Sequence, residues 1–132
     1  MIVPDNPDVL YSSKRGCSIE WTSPELLKSS SSGEGCPTKA SDCYALGMVV
    51  YEVLSGKTPF TPERGPIIVI KVLGGKHPVR PAGELFTDGI WKLLKQCWEL
   101  NPIKRISADG VLPRLTQRDH CMFSPFCSTN RV

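Results

Sequence analysis

Ser41-Asp42-Cys43-Tyr44-Ala45-Leu46-Gly47-Met48-Val49-Val50-Tyr51-Glu52-Val53-Leu54 decides what the rest of this chain must be. Ser41 and Asp42 suit a helix start, because short oxygen-bearing side chains answer the orphan amides of a first turn. Gly56 supplies the left-handed stop. Between them the apolar residues lie all round the helix rather than in one stripe, a pattern that calls for burial on every side. The sequence therefore predicts a helix over 41–54 in the middle of the core.

Working outward, Thr58-Pro59-Phe60-Thr61-Pro62 reads as a turn bounded by prolines. The run Ile67, Ile68, Val69, Ile70, Val72, Leu73 has no decisive period: its β-branched content favours a strand, while a helix also fits. In residues 88–100, Ile90, Trp91, Leu93, Leu94, Cys97 and Trp98 recur at helical spacing, and Asn101-Pro102 ends them. Ser107 suits the N-cap of a last helix with Val111, Leu112 and Leu115 inward, and Pro113 is expected to kink it or end it early. Upstream, Pro24 opens a short helix carrying Glu25, Leu26 and Leu27 as far as Lys28. Residues 28–39 are Ser/Gly-rich loop, residues 1–20 are irregular with Pro4, Pro7 and Gly16, and a frayed tail follows from Arg118. No internal repeat is present.

The 132 residues include 16 Lys+Arg, 13 Asp+Glu and 40% hydrophobic residues, which suits one globular domain and excludes two. The net charge of +3, with its excess in residues 101–132, is too mild for a nucleic-acid footprint. Apolar stretches such as 45–51 and 67–70 fall short of the roughly 20 residues that span a bilayer, so neither nucleic acid nor membrane is an expected partner. The first eight residues have no basic and apolar leader pattern, and the expectation is a soluble, cytoplasmic, reducing setting. Six irregularly spaced cysteines then read as free thiols. Only His120-Cys121 with Cys127 approaches metal-ligand spacing, and no metal site is expected.

Three blocks, in this order, resemble the C-terminal lobe of a eukaryotic protein kinase. Trp21-Thr22-Ser23-Pro24-Glu25 is similar to the Trp-x-Ala-Pro-Glu that closes the activation segment. Residues 41–52, with Leu54-Ser55-Gly56-Lys57-Thr58-Pro59-Phe60, resemble the family's central buried helix, Asp42 and Gly47 included, and the loop after it. Cys97-Trp98, Asn101-Pro102 and Lys104-Arg105 look like the Cys-Trp…Asp-Pro…Arg-Pro block between its last helices. Each alone is a weak signal; three in register are strong. The likeness covers about residues 16–117, is nearest the tyrosine-kinase-like group, and turns residues 65–74 into a helix. It implies a mainly α fold, the helical C-lobe without N-lobe or catalytic loop. Residues 1–15 would then be a remnant of the activation segment and residues 118–132 a tail.

The resemblance assigns roles to particular residues. Glu25 and Arg105, two solvated surface charges on sequence grounds alone, match a buried ion pair tying the activation segment to the helical lobe. Asp42 needs no more than its place at a helix N-terminus, but the matching residue also accepts hydrogen bonds from the catalytic loop. Trp21 and Trp98 read as core aromatics whose N–H needs a partner. Trp21 and Thr22 match the loop that receives the substrate residue after the phosphoacceptor, and Ser18 falls where Ser/Thr kinases keep a hydroxyl. Departures from the pattern are Ser23 for Ala, Glu20 for a basic residue, Asn101 for Asp and Ile106 for Pro.

Phosphoryl transfer needs a Gly-rich loop, a strand Lys paired to a Glu, a magnesium-binding Asp, and a catalytic Asp with its Asn. None of these motifs stands in the sequence; Arg118-Asp119 lies after the last helix, whereas the family's catalytic loop precedes the activation segment. The expectation is thus no catalytic, cofactor-binding or metal-binding residue in this chain, ATP and magnesium belonging to a complete parent that phosphorylates protein Ser/Thr. The competing reading is a non-catalytic helical interaction module or degenerate kinase. A protein substrate or docking protein is the expected partner, with self-association through apolar surface.

Overall fold

The computed structural model describes residues 18–30 and 35–116. A 3-10 turn, Ile19–Trp21, leads into five α-helices: α1 (Pro24–Ser30), α2 (Lys39–Ser55), α3 (Pro66–Leu73), α4 (Asp88–Cys97) and α5 (Ala108–Thr116). The described residues are helical with no strand, the mainly α architecture that the resemblance implies. The remnant over residues 1–15, the tail from residue 118 and the His120, Cys121 and Cys127 spacing lie outside the described residues.

Helix α2 starts earlier than Ser41 and Asp42 suggest. Thr38, with extended backbone, is its N-cap: Thr38 Oγ1 accepts from Ser41 N at 3.1 Å, and Ser41 Oγ accepts from Thr38 N at 2.7 Å. Ser41 is therefore the third residue of the helix and the returning half of a capping box, and Asp42 follows it in the first turn. Gly56 at φ 70° closes the other end. Tyr44, Met48 and Tyr51 line the core from this helix. Its opposite face is not covered by the described residues: Leu46, Val49 and Val53 are 39%, 45% and 69% exposed, which corrects the expectation of burial on all sides.

The ambiguous apolar run is helix α3. Pro66 at its first position has no amide to leave unpaired, and Ile68 and Val72, one turn apart, are fully buried while Ile67 and Ile70 face out. In α4, Thr87 Oγ1 accepts from Ile90 N at 3.3 Å, and Ile90, Leu93, Leu94 and Cys97 pack inward. This helix stops at Cys97 with Trp98 as its C-cap, short of Asn101. Helix α5 runs through Pro113 to Thr116 instead of ending early. Asp109, four residues before, loses its amide partner, but it and residues 112–114 are exposed and water can serve the freed carbonyl. Leu112, expected inward, is 64% exposed; Val111 is the buried contact.

Gly47 sets how closely α2 and α4 approach. A Cβ there would lie 2.7 Å from Cys97 Cβ and 2.8 Å from Trp98 Nε1, so even alanine would force the two helices apart. Around this contact Tyr51, Phe86, Trp91 and Trp98 form an aromatic cluster with centroid separations of 5.6–6.1 Å. Cys43 and Cys97 are buried thiols in the same layer. Burial, reinforced by Cys43, pushes the Cys97 thiol up to about 11, so it stays protonated.

Candidate functional site

The turn before α1 is held to the helical body at two points. Within it, Trp21 N donates to Ser18 O at 3.2 Å, Thr22 N to Ile19 O at 3.1 Å, and Thr22 Oγ1 to Ser18 O at 2.8 Å. This closes a tight loop over 18–22 in a segment expected to be irregular. The first anchor is Trp21, half-buried rather than in the core, whose Nε1 donates to Glu52 Oε2 on α2 at 3.0 Å. The indole ring lays apolar area on the core while its N–H fixes the loop's rotation against α2.

The second anchor joins Glu25 to Arg105. Arg105 Nη1 donates to Glu25 Oε1 at 2.7 Å and Nη2 to Glu25 Oε2 at 2.9 Å, a bidentate fork. The guanidinium also donates from Nη1 to Ala40 O at 2.8 Å and from Nε to Glu99 O at 3.0 Å, and stacks 5.2 Å from the Tyr44 ring centroid. Four segments are tied by one side chain: α1, the start of α2, the turn after α4 and its own loop. Arg105 is fully buried, while the Glu25 side chain retains 26% exposure. Burial acts to raise the Glu25 carboxyl, but the hydrogen bonds from Arg105 and its positive charge outweigh that and hold it below the usual carboxylate range.

Between the anchors, Ser18, Trp21, Thr22, Leu26, Pro37 and Asp42 surround a concavity of about 310 Å³. Ser18 and Asp42 are exposed at its edge. Ser23 and Pro24 are buried beneath it; the Ser23 hydroxyl has no hydrogen-bond partner within bonding distance among the described residues and lies near enough to Glu25 to favour its charged form slightly. Gly47 and Trp98 lie elsewhere, in the contact between α2 and α4, and the buried Trp98 Nε1 has no partner among the described residues. The structure thus brings Ser18, Trp21, Thr22 and Asp42 to one hollow and sets Glu25 and Arg105 as its foundation.

The chemistry on offer is binding and positioning. No His is among the described residues lining the hollow with Ser18 and Thr22, and the described residues contain no group of three His, Cys, Asp or Glu side chains placed to hold a metal ion. Sequence reading missed Glu52, the partner of Trp21, and Thr38, the cap that starts α2. A lone carboxylate in the apolar run of α2 is the signal for Glu52, but its partner lies 31 residues away. Thr38 went unseen because a capping box normally ends in Glu or Gln, and here Ser41 takes that place.

Residues 4–115 match the family described as protein tyrosine and serine/threonine kinase. The chain is 33% identical over 120 residues to a light-sensor protein kinase of Ceratodon purpureus, an alignment covering 82% of this chain and 9% of that protein. It is 32% identical over 114 residues to the dual specificity protein kinase splA of Dictyostelium discoideum, covering 86% of this chain and 4% of the relative. With the dual specificity protein kinase shkC of the same organism the identity is 28% over 104 residues, covering 69% and 21%. This chain therefore spans less than a quarter of the length of each of these relatives.

Proposed function

The chain belongs to the protein tyrosine and serine/threonine kinase family, and from that membership we propose that it is the substrate-side part of a kinase catalytic domain whose complete form transfers the ATP γ-phosphate to protein Ser/Thr. The observation that carries this reading is the double anchoring of the 18–22 loop, by Trp21 on Glu52 and by Glu25 on Arg105. A loop that must present an acceptor hydroxyl in line with a phosphate has to be held to within a fraction of an ångström, and two fixed points on the helical body do that.

Ser18, Trp21 and Thr22 receive the residues around the phosphoacceptor, in this reading, and the exposed Ser18 hydroxyl favours Ser/Thr over Tyr. Asp42, at the rim of the same hollow, is free to accept amides from a catalytic loop. ATP and magnesium would be held outside these residues, because the donor set for a metal ion is missing from the described residues and no glycine-rich cradle stands in the sequence. The chain by itself is inactive. Among the described residues no helix is long and apolar enough to cross a membrane, which is compatible with a cytoplasmic setting.

A chimera tests this reading. The chain is joined downstream of the nucleotide-binding half and catalytic loop of a related kinase, and the product is offered Ser, Thr and Tyr peptides. Phosphorylation of Ser or Thr by the chimera, with none by the 132-residue chain alone, is the expected result. Transfer to Tyr only, or transfer by the isolated chain, would refute it.

A further inference from the structure

The loop over 18–22 carries one charged side chain, Glu20. Ile19 and Trp21 on either side of it lie against the core, and successive side chains of a 3-10 turn stand about 120° apart, so Glu20 takes the third side, away from both. It is half-buried, and its carboxylate has no ion-pair partner among the described residues. The turn packs against α2 and α3, and neither supplies the missing cation. On α3 the one basic residue, Lys71, is held by Glu63. On α2 the one basic residue, Lys39, lies at the opposite end of the helix, about 20 Å from Glu52 at about 1.5 Å per residue. Glu52 itself, bonded to the indole beside Glu20, adds a second negative charge. A half-buried carboxylate next to a like charge gains from a cation brought to it, since partial exclusion of water strengthens the attraction.

We propose that Glu20 selects the substrate: the loop takes protein segments that carry an arginine within a few residues of the acceptor Ser or Thr. The inference rests on the kinase reading of this loop and names the substrate class for it. At position 20 the family pattern has a basic residue, so this chain reverses the charge that faces a bound peptide, and the charge sought on the peptide reverses with it. Arginine fits better than lysine, because the planar guanidinium pairs with both carboxylate oxygens at once and is the less tightly hydrated cation. An acidic peptide is rejected by the same two charges, Glu20 and Glu52, that attract a basic one. The bond from the Trp21 indole to Glu52 gives the selection its geometry, since it fixes the backbone that carries Glu20.

NMR titration of the full 132-residue chain with short Ser peptides tests it. The peptides differ only in carrying Arg, Lys or Glu at one position, scanned along either side of the serine. The Arg peptide is expected to move the amide signals of residues 18–22 and to bind at least about fivefold more tightly than the Glu peptide, with the Lys peptide between them. The preference should shrink as salt rises from about 50 to about 500 mM. Glu20→Gln should level the three peptides and Glu20→Arg should invert their order, with helicity by circular dichroism unchanged in both; if Glu20→Arg loses helicity, Glu20→Gln decides alone. No binding of the Arg peptide at millimolar concentration, equal binding of all three, or a preference that the Glu20 variants leave in place would overturn the proposal. The chimera separates this failure from failure of the kinase reading. One that phosphorylates Ser peptides without regard to their charge refutes the selection alone, and one that phosphorylates nothing refutes the reading beneath it.

Discussion

Arg105 holds more of this structure together than its single charge suggests, because its guanidinium meets the Glu25 carboxylate and two backbone carbonyls at once. Arg105→Ala removes all of them and leaves a paired acid without its cation. The expected loss is about 3 kcal/mol of unfolding free energy in denaturant titration, at the lower edge for a buried pair because Glu25 keeps partial contact with water. Glu25, with its carboxyl held below the ordinary range, binds a proton less readily folded than unfolded. Its contribution is therefore fully present above the ordinary carboxylate value and is lost as pH falls through the lowered one. Stability of the wild-type chain should drop with acid below about pH 4, with a smaller drop in Glu25→Gln, once both are fitted as two-state transitions. Ser23 is buried where the family pattern has Ala, and its hydroxyl meets no hydrogen-bond partner among the described residues. Ser23→Ala should raise stability by about 1 kcal/mol, and a loss of that size would show that the hydroxyl has a partner after all. The pairing of Glu25 with Arg105, 80 residues apart, was legible only through the family blocks; their charges alone fitted two surface residues equally well.

The helices divide according to what their own residues say. The Ile90, Leu93, Leu94, Cys97 spacing announces α4 directly, since one face is apolar and the other is not. α3 could not be read that way: eight residues rich in Ile and Val satisfy a strand as well as a helix, and only the family resemblance decided for the helix that the structure shows. α2 was legible as a helix, but its all-round apolarity pointed to full burial, whereas the described residues leave one face open. Apolarity records what a helix is able to bury and not which neighbour does the covering. The ends were the least legible, because a cap depends on one side chain meeting one amide. Thr38 is the case in point: Thr38→Ala removes the hydroxyl that accepts from Ser41 N and leaves only the backbone half of the box at the start of α2. It should cost about 1 kcal/mol by thermal or denaturant unfolding, against a change within about 0.5 kcal/mol if Ser41 were the true cap.

At the scale of the whole molecule, a helical body sets one loop at its edge by two long-range anchors, and the family match places this body in a protein kinase domain. Both anchors, Trp21 on Glu52 and Glu25 on Arg105, hold the 18–22 loop, and among the described residues no group of three His, Cys, Asp or Glu side chains is placed to hold a metal ion. In the proposed role this chain positions a protein substrate and nucleotide is held by other parts of a kinase. Titration of Mg-ATP into the purified chain by calorimetry decides between this role and a nucleotide site of its own. No saturable heat is expected up to millimolar nucleotide; saturable binding tighter than about 0.1 mM, some 5–6 kcal/mol of free energy, would refute the proposed role.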